Sequence, residues 1–91
     1  MRERDIERYF TKQVEKAGGK SYKWVSPGNP GVPDRIVIHG GMIFFVELKA
    51  PGGKLRATQL RKISELMNFG YDVWILSTKD DVDIFVRLVL A

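Results

Sequence analysis

Apolar residues open the chain at helical spacing. Ile6, Tyr9, Phe10, Val14 and Ala17 fall three or four apart, with Gln13 on the same side. Gly18-Gly19 ends the pattern, so a first helix is expected over Arg2–Ala17. Ser21–Val25 then reads as a short strand. The stretch Ser26-Pro27-Gly28-Asn29-Pro30-Gly31-Val32-Pro33 is too rich in proline and glycine for regular structure and reads as a loop. Asp34–His39 follows as a second strand around the β-branched run Ile36-Val37-Ile38. Gly40-Gly41 suits a tight hairpin, because glycine accepts the positive φ that such turns require. Met42–Lys49 is the third strand, and the run Ile43-Phe44-Phe45-Val46 suggests burial on both faces.

Ala50-Pro51-Gly52-Gly53 breaks that strand. Thr58 reads as the N-cap of a second helix that runs to about Phe69, with Leu60, Ile63, Leu66 and Met67 inward and Gly70 as its stop. Tyr71–Leu76 is a fourth apolar strand, and the helix before it implies a crossover connection to the third. Asp80 or Asp81 is placed to cap a last helix that uses Val82, Phe85, Val86 and Val89. The order is αβββαβα. It predicts an α/β fold with a central mixed sheet of about four strands flanked by helices, and residues 1–91 read as one domain.

Composition narrows the chemistry. With 44% apolar residues and charges of mixed sign, the chain has the make-up of a folded globular protein. It has no cysteine, which excludes disulfides and thiolate metal sites, and its one histidine, His39, excludes a histidine-rich zinc site. Any metal must therefore be held by carboxylate and carbonyl oxygens, which favours magnesium or manganese. No apolar run approaches the roughly 20 residues of a membrane span. The charged start Met1-Arg2-Glu3-Arg4-Asp5 lacks a signal-peptide core, so a cytoplasmic setting of phage or bacterial type is expected. A net charge of +4 is compatible with a polyanionic partner, and equally with solubility alone.

Three charged residues stand out against this background. Glu47 and Lys49 are two apart on a strand and emerge on one face, while Leu48 points into the core. Asp34 opens the preceding strand. Simple pairing about Gly40-Gly41 makes Asp34 and Glu47 cross-strand neighbours. Two carboxylates with a carbonyl oxygen nearby suit a divalent cation that keeps some of its water. Such an ion polarises a phosphodiester and lowers the pKa of bound water, and Lys49 would orient that water or neutralise charge on the phosphate. Taken singly, Glu-x-Lys is commonly a solvated ion pair and Pro-Asp a turn. The hairpin is what joins them.

Gly31-Val32-Pro33-Asp34, then Phe45-Val46-Glu47-Leu48-Lys49-Ala50-Pro51-Gly52-Gly53-Lys54-Leu55, then Thr58-Gln59-Leu60 together resemble the virus-type replication-repair nuclease (VRR-NUC) domain of the PD-(D/E)xK superfamily. The resemblance spans nearly the whole chain. It implies a restriction-endonuclease-like fold and a Mg2+- or Mn2+-dependent endonuclease with no small-molecule cofactor. By the same resemblance Asp34, Glu47 and the Leu48 carbonyl would ligate the metal, and Lys49 matches the catalytic lysine. Gln59 matches the helix glutamine expected to touch the lysine or the attacking water, an ordinary helix-surface residue being the alternative. The family also carries an acidic residue on its first helix. Glu3 stands three before Ile6 as that pattern asks, with Glu7 as the rival. At about 100° per residue, Glu3 falls in the arc of Ile6, Phe10, Val14 and Ala17, whereas Glu7 sits at its edge. Glu3 is the preferred assignment.

Lys54, Arg56, Arg61 and Lys62 follow the Glu-Leu-Lys strand and are expected to track DNA phosphates. Lys20 and Lys23 flank the first strand, and Arg2, Arg4, Arg8, Lys12 and Lys16 form a stripe on the first helix that reads as a solvated face. Nothing resembles a base-reading helix or finger, which points to recognition by DNA shape. The superfamily's archaeal Holliday junction resolvases are similar in arrangement. They make branched DNA, the four-way junction first, the expected substrate, in repair or recombination, with a symmetric homodimer placing two sites on it. Trp24, Phe44, Tyr71, Trp74 and Phe85 are either contact aromatics or core. The competing readings are a nicking or flap nuclease working with a helicase or other partner, and a non-catalytic DNA-binding module. The intact Asp34, Glu47 and Lys49 argue against the second.

Overall fold

Ile6, Phe10 and Val14 recur every four residues, and their complete burial defines the inward face of helix α1 (Glu3–Lys16). A computed structural model describes residues 1–90 of the chain. After α1 come β1 (Lys20–Lys23), β2 (Arg35–His39), β3 (Met42–Leu48), α2 (Ala57–Asn68), β4 (Val73–Leu76) and α3 (Lys79–Phe85), with a π-helical segment over Val86–Leu90. The order is the αβββαβα read from the sequence. The four strands lie in the order β1-β2-β3-β4; the first two pairings are antiparallel, and β3 and β4 run parallel with α2 as the crossover. The sheet is mixed, as expected. No helix among the described residues is long and apolar enough to cross a membrane.

Alternation along the strands separates two faces. Val37, Val46, Leu48 and Leu76 are buried with α1 and α3, and Phe44 and Trp74 pack against the same cluster. Phe85 sits at its centre, 5.8 Å from Phe10, 6.2 Å from Phe44 and 5.4 Å from Trp74 between ring centroids. Phe44, Trp74 and Phe85 are therefore core residues. The other face carries Tyr22, Ile36, Ile38, Ile43, Phe45 and Ile75 by register. Trp24 stacks there on Phe45. This face is open. Ile38 is 45% and Ile43 54% exposed, so the expected burial of Ile43–Val46 on both faces is not met. Helices α1 and α3 share one side of the sheet, and α2 packs along β4.

Helix α2 departs from its apolar pattern in an informative way. Its inward stripe is Gln59, Ile63 and Leu66, while Leu60 and Met67, expected inside, are 52% and 56% exposed. A polar residue takes the place that hydrophobicity assigned to Leu60. The helix starts two positions early, too. Arg56 is the N-cap, and its N–H donates to Gln59 Oε1 at 2.7 Å, so Thr58 does not cap the helix. Helix α3 is capped by Thr78 instead of Asp80 or Asp81. Thr78 Oγ1 accepts the Asp81 N–H (3.0 Å), and Asp81 Oδ2 accepts the N–H groups of Ser77 and Thr78 (2.9 and 3.2 Å). The acidic residue is the reciprocal half of a capping box.

Candidate active site

The β2–β3 hairpin positions the two carboxylates. Arg35 pairs with Val46. Continuing that register sets Asp34 opposite Glu47 just beyond the ladder, and side-chain bonds close the pair. The Asp34 N–H donates to Glu47 Oε1 (3.1 Å), and the Leu48 N–H donates to Asp34 Oδ2 (2.9 Å). Glu47 is only 1% exposed and, by alternation with the core residues Val46 and Leu48, lies on the face opposite α1. There α2 meets it: Gln59 Nε2 donates to Glu47 Oε2 at 2.6 Å. Lys49 Nζ stands 4.0 Å from the same oxygen. Asp34, Glu47, Leu48, Lys49 and Gln59 thus converge on one spot. Gln59 spends its carbonyl on the Arg56 N–H and its amide on Glu47.

Burial makes this cluster electrostatically uneasy. The Glu47 carboxyl is pushed up to about 7, first by burial, then by the charge of Asp34 and a hydrogen bond with it. Lys49 and the Asp34 N–H pull the other way. Two carboxylates held this close favour a cation between or beside them. The donors are oxygens only, which fits a hard divalent ion. Among the described residues no third Asp, Glu, His or Cys joins the pair closely enough to complete a cage. An ion there would keep several waters, as magnesium does by preference.

Helix α1 brings both of its rival acids to the mouth of the site. Glu3 and Glu7, with Arg4, Lys23 and Asp34, line a hollow of about 160 Å³. Glu3 is exposed in the first turn, ahead of the first buried residue of the helix. Glu7 is engaged with Arg35, Oε2 to Nη1 at 3.6 Å. Arg35 itself was invisible to motif reading. Its Nε donates to Ser21 Oγ (2.8 Å) and its Nη2 to Thr11 Oγ1 (3.2 Å), tying α1 and β1 to β2 next to Asp34. One signal could have found it: strand alternation sends Arg35 to the core face with Val37, where a cation must have partners.

The loop before Asp34 is fixed to α2 by a glycine. Gly31 has φ +89°, and a Cβ there would lie 2.3 Å from the Thr58 carbonyl oxygen. The Asp34 and Gln59 segments are therefore in backbone contact. Of the expected phosphate contacts, Lys54, Arg56 and Arg61 are exposed. Arg61 and Lys62 line a hollow of about 320 Å³ with Gly28, Asn29 and Pro30, and Lys62 pairs with Glu65 at 2.7 Å.

Comparison with known proteins finds likenesses over most of the chain. The family model described as the VRR-NUC domain matches residues 7–80, a stretch that includes Glu7, Asp34, Glu47, Lys49 and Gln59 and leaves Glu3 outside. The chain is similar to "Putative nuclease p44" of Acyrthosiphon pisum secondary endosymbiont phage 1, with 47% identity over 81 residues, covering 88% of this chain and 87% of the relative. It is also similar to a solved structure described as a VRR_NUC domain, with a TM-score of 0.86 at 28% identity over 96% of each chain.

Proposed function

The chain belongs to the VRR-NUC family and is a nuclease, and from that premise we propose a Mg2+- or Mn2+-dependent endodeoxyribonuclease acting on branched DNA, the four-way (Holliday) junction first. One observation carries the reading: Asp34 and a Glu47 raised to about 7 share one spot with Lys49. Asp34, Glu47 and the Leu48 carbonyl would hold the ion. When bound, it supplies Lewis acidity toward the phosphate and a nucleophilic water near neutral pH. Lys49 neutralises charge that builds on the phosphate oxygens. Gln59 positions Glu47. Glu3, exposed at the Asp34 hollow and without an ion pair among the described residues, takes the helix-1 acidic role, while Glu7 steadies Arg35. Lys54, Arg56, Arg61 and Lys62 contact DNA phosphates.

The substrate part is tested with labelled four-way, splayed, flap and linear DNA of one sequence context. The expected result is cutting of the junction with Mg2+ or Mn2+, none with EDTA, and slower cutting of the linear duplex. Equal cutting of junction and duplex would remove structure selectivity, and flap preference would favour a flap nuclease acting with a partner. Tight binding without cutting in either metal would favour a non-catalytic module.

A homodimer completes the reading, supported by the apolar sheet face that α1 and α3 leave open around Ile38, Ile43 and Ile75. Sedimentation at micromolar concentration should give a dimer, and Ile38→Glu with Ile43→Glu should give a folded monomer. A monomeric wild type would refute this part.

A further inference from the structure

Arg4, Arg8 and Lys12 recur every four residues on α1, so they form a row that advances about 6 Å per step. All three are exposed. Of the acids around them three have partners of their own, and Glu3 stands unpaired among the described residues, beside Arg4 at the Asp34 hollow. Asp5 Oδ2 accepts the Arg2 N–H (2.9 Å), Glu7 pairs with Arg35 (3.6 Å) and Glu15 pairs with Lys20 (3.2 Å). Arg4, Arg8 and Lys12 form no ion pair among the described residues.

The row is also continuous with the site. Arg4 lines the hollow that contains Asp34 and the next one along, which it shares with Arg8 and Lys12. Arg8 and Lys12 in turn line a third hollow, of about 450 Å³, which ends at Lys79. The ammonium of Lys79 lies 5.1 Å from the centre of the Tyr9 ring, whose hydroxyl donates to Asp83 Oδ1 at 2.6 Å. This contact holds the far end in place. Neighbouring cations of this row stand within a Debye length of one another, with hollows on both sides of it, and their fields add.

We propose that this row, from Arg4 through Arg8 and Lys12 to Lys79, is a second DNA-backbone track. It carries a different arm of the substrate from the one held beside α2. The two tracks diverge from a single catalytic pair, because α1 covers one face of the sheet while Gln59 of α2 reaches Glu47 on the other. Such an arrangement fits DNA whose arms separate at the point of cutting. The choice of DNA as the polyanion rests on the nuclease reading above.

The test is equilibrium binding of a four-way DNA junction in EDTA over a range of salt. Wild type is compared with Arg8→Gln/Lys12→Gln/Lys79→Gln, and with Lys16→Gln on the same helix outside these hollows. Each phosphate contact contributes about 0.9 to the slope of log K against log salt, so the triple variant should lose about two to three units of slope. It should bind at least roughly tenfold more weakly at physiological salt, and Lys16→Gln should match wild type. An unchanged slope in the triple variant overturns the proposal, as does an equal loss per charge in Lys16→Gln, which would indicate net charge alone. A wild type that does not bind DNA overturns it as well. Cutting by the wild type in Mg2+ or Mn2+ is read separately; binding without cutting would fail the nuclease reading and leave the slopes to decide this one.

Discussion

Exchange of Glu47 for glutamine is expected to abolish cleavage and, in the same protein, to raise the melting temperature measured without metal. The loss of cleavage should be roughly a thousandfold or more, since the carboxylate both binds the ion and sets the charge of the site. The gain in stability follows from linkage. Glu47 titrates near 7 in the folded chain, against 4.5 as its ordinary value. Below about 4.5 the carboxyl is neutral in both states and carries no penalty. Between 4.5 and 7 the unfolded chain releases its proton while the folded chain retains it, so stability falls as pH rises through this window. Above it the folded chain bears the full penalty, on the order of a few kcal/mol. Glutamine keeps the shape without the charge. Melting curves of the metal-free proteins should therefore coincide near pH 4 and separate by several degrees near pH 8, the variant being higher. Added Mg2+ should raise wild type at pH 8 and leave the variant where it was. A variant that still cuts, or one less stable than wild type at pH 8, would refute the assignment of Glu47.

The carboxylate pair was legible in the sequence because two local rules suffice for it. A Gly-Gly turn sets the hairpin register, and strand parity then puts Asp34 beside Glu47 and Lys49 on the same side as Glu47. Gln59 was legible as a position and not as a contact. Helical periodicity ranks residues by hydrophobicity, so Leu60 was turned inward, whereas the buried Glu47 requires a donor and Gln59 occupies that place. The choice between Glu3 and Glu7 could not come from a helical wheel, since both line the Asp34 hollow. What separates them in space is Arg35, a residue on another element that engages only Glu7. The open sheet face escaped for a related reason. An apolar run such as Ile43–Val46 reports what a strand could bury, not whether any part of the same chain arrives to cover it.

Gly31→Ala should be the most damaging change outside the charged residues, and Gly28→Ala is its control. Both glycines sit at positive φ, +89° and +80°, where a side chain is disfavoured by roughly 1–2 kcal/mol. They differ in what a methyl group would meet. At Gly28 nothing lies within 4 Å, whereas at Gly31 the Thr58 carbonyl oxygen stands at 2.3 Å and its carbon at 2.6 Å. Those are backbone atoms in the first turn of α2 and have no rotamer to retreat into, so the loop must lift away from the helix. Asp34 follows Gly31 by three residues and shares its partners with Gln59 through Glu47, so the lift misaligns the site. A displacement of about 1 Å can reduce a rate about a hundredfold. Gly28→Ala should lose a few degrees of melting temperature and cut almost normally. Gly31→Ala should lose clearly more, and cut about a hundredfold more slowly at saturating metal, with junction binding in EDTA nearly unchanged. Equal effects in the two variants would reduce Gly31 to its backbone angle. Normal cutting by Gly31→Ala would mean that the seating of the loop on α2 does not hold the carboxylates in register.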